Sequence, residues 1–251
     1  AYRALIEGDA TLASYQYFEQ TIPVVDQLDA STQASGFDSE ALETAPNFVS
    51  EISTFPYLKG FEFVSTLYQR DGWESVNQAY VELPQSTEHI LHPQSYIDGD
   101  MPIEVSLPDF GSELGDNWHV IEENVLGELG VQLVLAEYLG PAAAMQAAEG
   151  WGGDRYALLF DENEDVYSLV VKTTWDDLEQ SDEFWSLYRS YMDHRPGYSE
   201  VVKMMVGELT ERWWSGERDH IYASQDETDV TIVISPDLDD VEDIVSLFQD
   251  Q

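Results

Sequence analysis

Three stretches of the chain combine residue types that could do chemistry. The first is Leu5-Ile6-Glu7-Gly8-Asp9-Ala10-Thr11. Small residues beside Glu7 would let a neighbouring backbone approach closely, so its carboxylate could ligate a metal held mainly by another helix. The competing reading is a solvated glutamate on an acidic helix. The second is Glu88-His89-Ile90-Leu91-His92, just before Pro93. His89 and His92 share a face if the turn is helical. They could bind zinc together with Glu7, or His92 could polarise a substrate carbonyl, or His92 could simply order the turn before the proline. His89 reads as the more replaceable of the two, and His92 is the candidate catalytic group. The third is Gly150-Trp151-Gly152-Gly153-Asp154-Arg155. A phosphate cradle needs glycines leading into a helix with a lysine nearby. Here a strand is expected to follow and lysine is absent. A tight domain junction fits better, with Trp151 buried and Asp154 and Arg155 holding the turn. Arg155 is a candidate for a buried salt bridge.

Other chemistry finds less support. Trp213-Trp214 reads as core rather than as a carbohydrate platform. His119, His194 and His220 have no partners at informative spacing. No Gly-x-Ser-x-Gly elbow occurs, and acidic pairs are too common to nominate a glycosidase dyad. Cysteine is absent, which removes disulfides, thiolate nucleophiles and cysteine-ligated zinc.

The elements that would position these residues follow from periodicity. Residues 1–29 read as one helix, ended or kinked near Pro23, with Ala4, Gly8, Thr11, Tyr15 and Phe18 as its buried face. It lacks a capping signal, and Ala1-Tyr2-Arg3-Ala4-Leu5 looks like the middle of a helix, so an N-terminal truncation is expected. Residues 30–47 read as a loop with a short helix at 39–44. Further helices are expected at 57–69, with Phe61, Val64, Ser65 and Tyr68 on one face, and at 73–80. Ser86 or Thr87 would cap a short one that Pro93 ends. Residues 105–107 read as extended, and 117–138 as a long buried helix. Gly140-Pro141 breaks it, and Pro141 opens the next helix. Beyond Gly150 the texture changes. Residues 156–160 and 166–174 form a hairpin, 181–191 a helix with Phe184, Leu187, Tyr188 and Tyr191 inward, and 204–214 a segment of open type. Residues 222–224 and 230–235 form a second hairpin, and 237–248 the closing helix, whose acidic first turn suits the helix dipole. The expected class is α+β: a helical region over 1–150, then a small antiparallel ββαββα domain over 151–251 with helices on one face.

Composition adds one strong fact. Among 251 residues, 50 Asp and Glu face 10 Lys and Arg, for a net charge of −40. That field repels nucleic acid and anionic lipid. The acids are dispersed through amphipathic segments and lysine is scarce, as in proteins adapted to molar salt, where a Debye length of about 3 Å screens the self-repulsion. With 43% hydrophobic residues the chain is not a disordered acidic tail. No apolar run reaches the ~20 residues that span a bilayer. The compartment is not legible beyond a lean to an exported or cell-surface place.

Longer phrases carry a resemblance. Glu7-Gly8-Asp9-Ala10-Thr11 with the helix around it looks like the second metal-site helix of gluzincin-type zinc metallopeptidases. Trp73 to Tyr80, Pro84-Gln85-Ser86-Thr87-Glu88-His89-Ile90-Leu91-His92-Pro93, Leu107-Pro108-Asp109, Gly150 to Arg155 and Thr174-Trp175-Asp176 resemble predicted metallopeptidase-like proteins of bacteria and halophilic archaea. The likeness runs from Ala4 to about Tyr188. It implies a zincin-like scaffold in which an upstream His-Glu-x-x-His helix supplies two zinc-binding histidines and the general base, with Glu7 as third ligand. The chain has no His-Glu dipeptide, so the site would need residues from elsewhere. Two functions are therefore expected: a zinc metallopeptidase-like protein, inactive as this isolated chain, or a non-enzymatic protein that binds a peptide or partner in its cleft.

Overall fold

The computed structural model describes residues 1–21, 44–201 and 210–249. The chain divides into two compact units, Ala1–Met101 and Pro102–Gln251.

The first unit is helical: α1 (Tyr2–Thr21), α2 (Asn47–Asp71), α3 (Trp73–Ala79), α4 (Thr87–Leu91) and α5 (Pro93–Asp98). α1 lies on α2 with the two backbones in contact. A Cβ on Gly8 would run into the Gly60 carbonyl, and a Cβ on Gly60 would run into that of Ala4. Around this crossing Ala4, Leu5 and Leu12 of α1 and Phe63, Val64 and Leu67 of α2 are buried. The buried stripe is thus Ala4-Leu5-Gly8-Leu12, not the expected line ending at Tyr15 and Phe18. Tyr15 is exposed, with its ring edge on Phe61 at 6.3 Å. α2 also begins ten residues earlier than expected, running through Pro56. Proline removes one backbone bond inside a helix, but here Phe55 and Pro56 are both buried, and that packing carries the helix across it. The expected helix at 39–44 and the helical extension from 22 to 29 lie outside the described residues, except for Thr44.

The second unit is built on an antiparallel sheet: β1 (Trp118–Asn124), β2 (Trp151–Asp161), β3 (Val166–Trp175), β4 (Ser199–Glu200), β5 (Thr210–Ser215), β6 (His220–Asp226) and β7 (Asp229–Ser235), in the order β1-β2-β3-β7-β6-β5-β4. Its helices are α6 (Phe110–Glu113), α7 (Gly127–Leu139), α8 (Pro141–Ala148), α9 (Leu178–His194) and α10 (Leu238–Gln249). The class is α+β, as expected: a helical N-terminal part, then a sheet domain with both expected hairpins, β2–β3 and β6–β7, in place; the expected ββαββα order gains two strands, β4 and β5, between α9 and β6. Alternation along the strands splits the sheet's side chains between two cores. Val171, Trp214, Ile221 and Ala223 face α7, α8 and α9. Val170, Trp213, Tyr222 and Val233 face α10 and Phe110. Both faces are covered, not one.

Two further expectations change. Residues 117–138 are not one buried helix. They form β1, largely exposed at the sheet edge, and then α7. Trp118, Val120 and Ile121 suit a pleated strand, and Gly127, at φ +71°, opens the helix after it. The division also falls at Met101 and not at Gly150, because β1 pairs with β2 and the apolar residues of α7 and α8 share a core with α9. Of the segment 204–214, residues 210–214 are strand, and 204–209 lie outside the described residues.

Candidate functional site

In the helical unit, the motif around Glu7 is explained mostly by packing. Gly8 allows the contact with α2, the Thr11 hydroxyl donates to the Glu7 carbonyl at 2.6 Å, and Asp9 accepts from the Tyr80 hydroxyl at 2.8 Å. Burial, with Asp9 beside it, pushes the Tyr80 phenol well up from its usual range. The Glu7 side chain is held more loosely. It is 27% exposed, with its carboxylate 3.8 Å from Arg3 Nε.

The histidine pair separates into two roles. Ser86 caps α4, its hydroxyl accepting from the His89 N–H at 3.1 Å, as a serine before a short helix should. This sets the His89 ring inside the unit, 2% exposed. The Gln85 N–H donates to Nδ1 at 3.2 Å, so the ring proton sits on Nε2, which donates to the Asp100 carbonyl at 2.5 Å. The Tyr96 ring meets His89 edge-on at 5.6 Å and Phe63 at 5.3 Å, and its hydroxyl donates to the Glu82 carbonyl at 2.7 Å. His89 therefore ties the strap from Glu82 to Asp100 into one piece. His92 is exposed at the joint of α4 and α5, where its N–H donates to the Glu88 carbonyl at 2.7 Å and its carbonyl accepts from Ser95 at 2.9 Å. Of the pair, His89 and not His92 is the residue least open to replacement. Sequence reasoning missed this although the signal was present: a serine three residues before a histidine, as a cap places it.

The strap, the end of α2 and α3 surround an open cavity of about 890 Å³, lined among others by Leu67, Glu74, Val81, Glu82, His89 and Met101. Gly72, at φ +65°, makes the turn from α2 to α3 that gives the cavity its wall. Neither Glu7 nor His92 lines it. Among the described residues no three His, Asp or Glu side chains gather to hold a metal, so Glu7, His89 and His92 do not form a ligand set, and the residues present do not fit a zinc ion by themselves.

In the sheet unit the Gly150–Arg155 stretch enters β2 at Trp151 rather than forming a junction. Trp151 is buried, as expected. The Asp154 carboxylate does not pair with its neighbour to hold a turn. It accepts from the Leu126 and Gly127 N–H groups at 2.7 and 2.8 Å and from the Trp151 indole at 2.9 Å, holding the start of α7. Burial raises the carboxyl's pKa, against the pull of these three bonds and of the Arg155 charge. Arg155 reaches Glu123 at 2.6 Å with both side chains 41% exposed, so it is not a buried ion pair. Trp213 and Trp214 are core. The Ser215 hydroxyl lies 3.0 Å from His220 Nδ1 across the β5–β6 register, a cross-strand pair that sequence spacing did not suggest.

No curated protein and no solved structure matches the chain. A family model does, over residues 118–245, the stretch from β1 into α10 that builds the sheet and the helices on both its faces. With half of its length matched, the chain belongs to the family described as domain of unknown function DUF8575.

Proposed function

We propose that this chain is a binding protein whose helical unit takes a segment of a peptide or partner protein. The observation behind this reading is the cavity of about 890 Å³, which falls in the range of ligand clefts and is walled by a strap tied through His89 rather than by a loose loop. An enzyme role is not needed for it. The test is binding of a peptide library to the full chain at molar salt, repeated with Val81→Asp. Val81 is 75% exposed, so the variant is expected to keep the parent's fold, and it should lose the peptides the parent retains. Equal retention by both would remove the reading.

A second reading is favoured by one feature, the pairing of Gly8 with Gly60 directly beside a part-buried Glu7. In it the scaffold is metallopeptidase-like, of a protein adapted to high salt, and Glu7 supplies one zinc-binding carboxylate while the imidazoles come from residues other than those described. The chemistry of such a centre is metal-assisted hydrolysis of a peptide bond. His92, exposed at the α4–α5 joint, is its candidate donor to a substrate carbonyl. Zinc analysis of the gene's whole product, with and without Glu7→Gln, decides it: unchanged zinc content in the variant removes Glu7 as a ligand.

A further inference from the structure

The cavity of the helical unit carries two kinds of surface side by side. Its apolar part is unusually open: Val81 is 75%, Met101 61% and Leu83 38% exposed. Apolar side chains scattered singly need no explanation, but a cluster inside one concavity marks a contact surface. Its charged part is one-sided. Asp71, Glu74 and Glu82 line it against one guanidinium, Arg70, whose Nε lies 3.4 Å from the adjacent Asp71 carboxylate. Glu74 and Glu82 are exposed and flank the apolar patch.

We infer that the occupant is a peptide segment of a partner protein that presents an apolar side chain next to a lysine or arginine. The apolar side chain lies against Val81, Leu83 and Met101, and the cation reaches Glu74 or Glu82. This rests on the binding reading above and gives it a chemistry. An acidic segment is rejected by the same carboxylates, and a neutral apolar one gains only the burial. At molar salt the Debye length is about 3 Å, so a general negative field attracts nothing at a distance. Discrimination then has to come from pairs in direct contact, which a cavity can hold and a convex acidic surface cannot.

The experiment is a titration of the full chain, at about 2 M KCl, with three synthetic peptides of one apolar framework that carry Arg, Gln or Glu beside a leucine. The expected order is Arg above Gln above Glu. Glu74→Gln with Glu82→Gln should lower affinity for the Arg peptide by about threefold, the size of one or two exposed ion pairs, and leave the Gln peptide unchanged. Glu149→Gln with Glu164→Gln, two exposed residues of the sheet unit, removes the same charge and should change neither. If the Arg and Glu peptides bind alike, or if the second pair of substitutions has the same effect as the first, the inference is overturned while peptide binding stands. If no peptide binds the parent, both this and the binding reading are overturned.

Discussion

Gly8 on α1 and Gly60 on α2 interlock, each lacking the Cβ that would strike the facing helix: one on Gly8 would meet the carbonyl of Gly60 itself, and one on Gly60 the carbonyl of Ala4, a turn before Gly8. No rotation of a flexible side chain relieves such a contact, because the atoms met are backbone. Gly8→Ala should therefore force α1 away from α2 and uncover Leu5 and Phe63, at a cost at or above the roughly 1–3 kcal/mol typical of overpacking. Gly99→Ala is the contrast. Gly99 has φ +76° and nothing within 4 Å of an added Cβ, so only the backbone term of about 1–2 kcal/mol applies. Chemical denaturation at molar salt ranks the two, and a milder effect at Gly8 would show that the helices are not in contact.

His89→Ala should destabilise the helical unit, since it leaves the Gln85 N–H and the Asp100 carbonyl without their partner. Both bonds are part-buried, so each stranded group costs at most about 1–3 kcal/mol. His92→Ala, at an exposed position, should stay within about 0.5 kcal/mol. Thermal unfolding of both variants checks this. A larger loss at His92 would reverse the roles assigned to the pair.

Asp154→Ala removes the acceptor for two backbone N–H groups at the start of α7 and for the Trp151 indole. A loss of about 2–4 kcal/mol is expected for a buried charged acceptor with three donors, together with a changed tryptophan signal. Glu123→Ala, which frees the half-exposed Arg155, should cost at most about 1 kcal/mol.

Alkaline stability depends on phenols held above their usual range, of which Tyr188 is buried and Tyr198 and Tyr80 are hydrogen-bonded to Asp219 and Asp9. Tyr198 is pushed up to about 12, chiefly by burial and then by its hydrogen bond to Asp219, against the nearby Arg195. Unfolded tyrosine titrates near ~10. The folded chain thus holds the proton more tightly, so this contribution is complete below pH ~10 and is lost as pH rises toward about 12. Tyr188 and Tyr80 shift in the same direction. Denaturation midpoints should fall across that window, and Tyr198→Phe should flatten the fall. A midpoint independent of pH there would contradict the raised titration of these phenols.

Salt should matter more than any single residue. With a net charge of −40, circular dichroism is expected to show a folded chain at about 3 M KCl and loss of structure at about 0.05 M, where screening no longer covers the self-repulsion. An unchanged spectrum between the two would mean that the charge does not report habitat.

What the sequence determined by itself was local and periodic. The two hairpins, the helix over Leu178–His194, the break at Gly140-Pro141 and the serine cap of α4 all depend on neighbours within a few residues, and their patterns are complete in the chain. The α+β class follows from that order of elements. Tertiary structure decided the rest. Residues 118–124 carry enough apolar character for either a helix or a strand, and only pairing with β2 makes them an edge strand. Trp213 and Trp214 read as one aromatic pair, yet the pleat sends them to opposite faces of the sheet, so burial of both required helices on both sides. From the sequence, His89 reads as the more replaceable of the two histidines and His92 as the candidate, the reverse of what the contacts show. The serine cap turns His89 inward, and the carbonyl of Asp100, eleven residues beyond it, is the ring partner that no local pattern shows. The Glu7 motif was legible as a close-approach signal, because small residues permit it, but which backbone approaches, and that Asp9 holds Tyr80, depend on contacts more than fifty residues apart that no local pattern encodes.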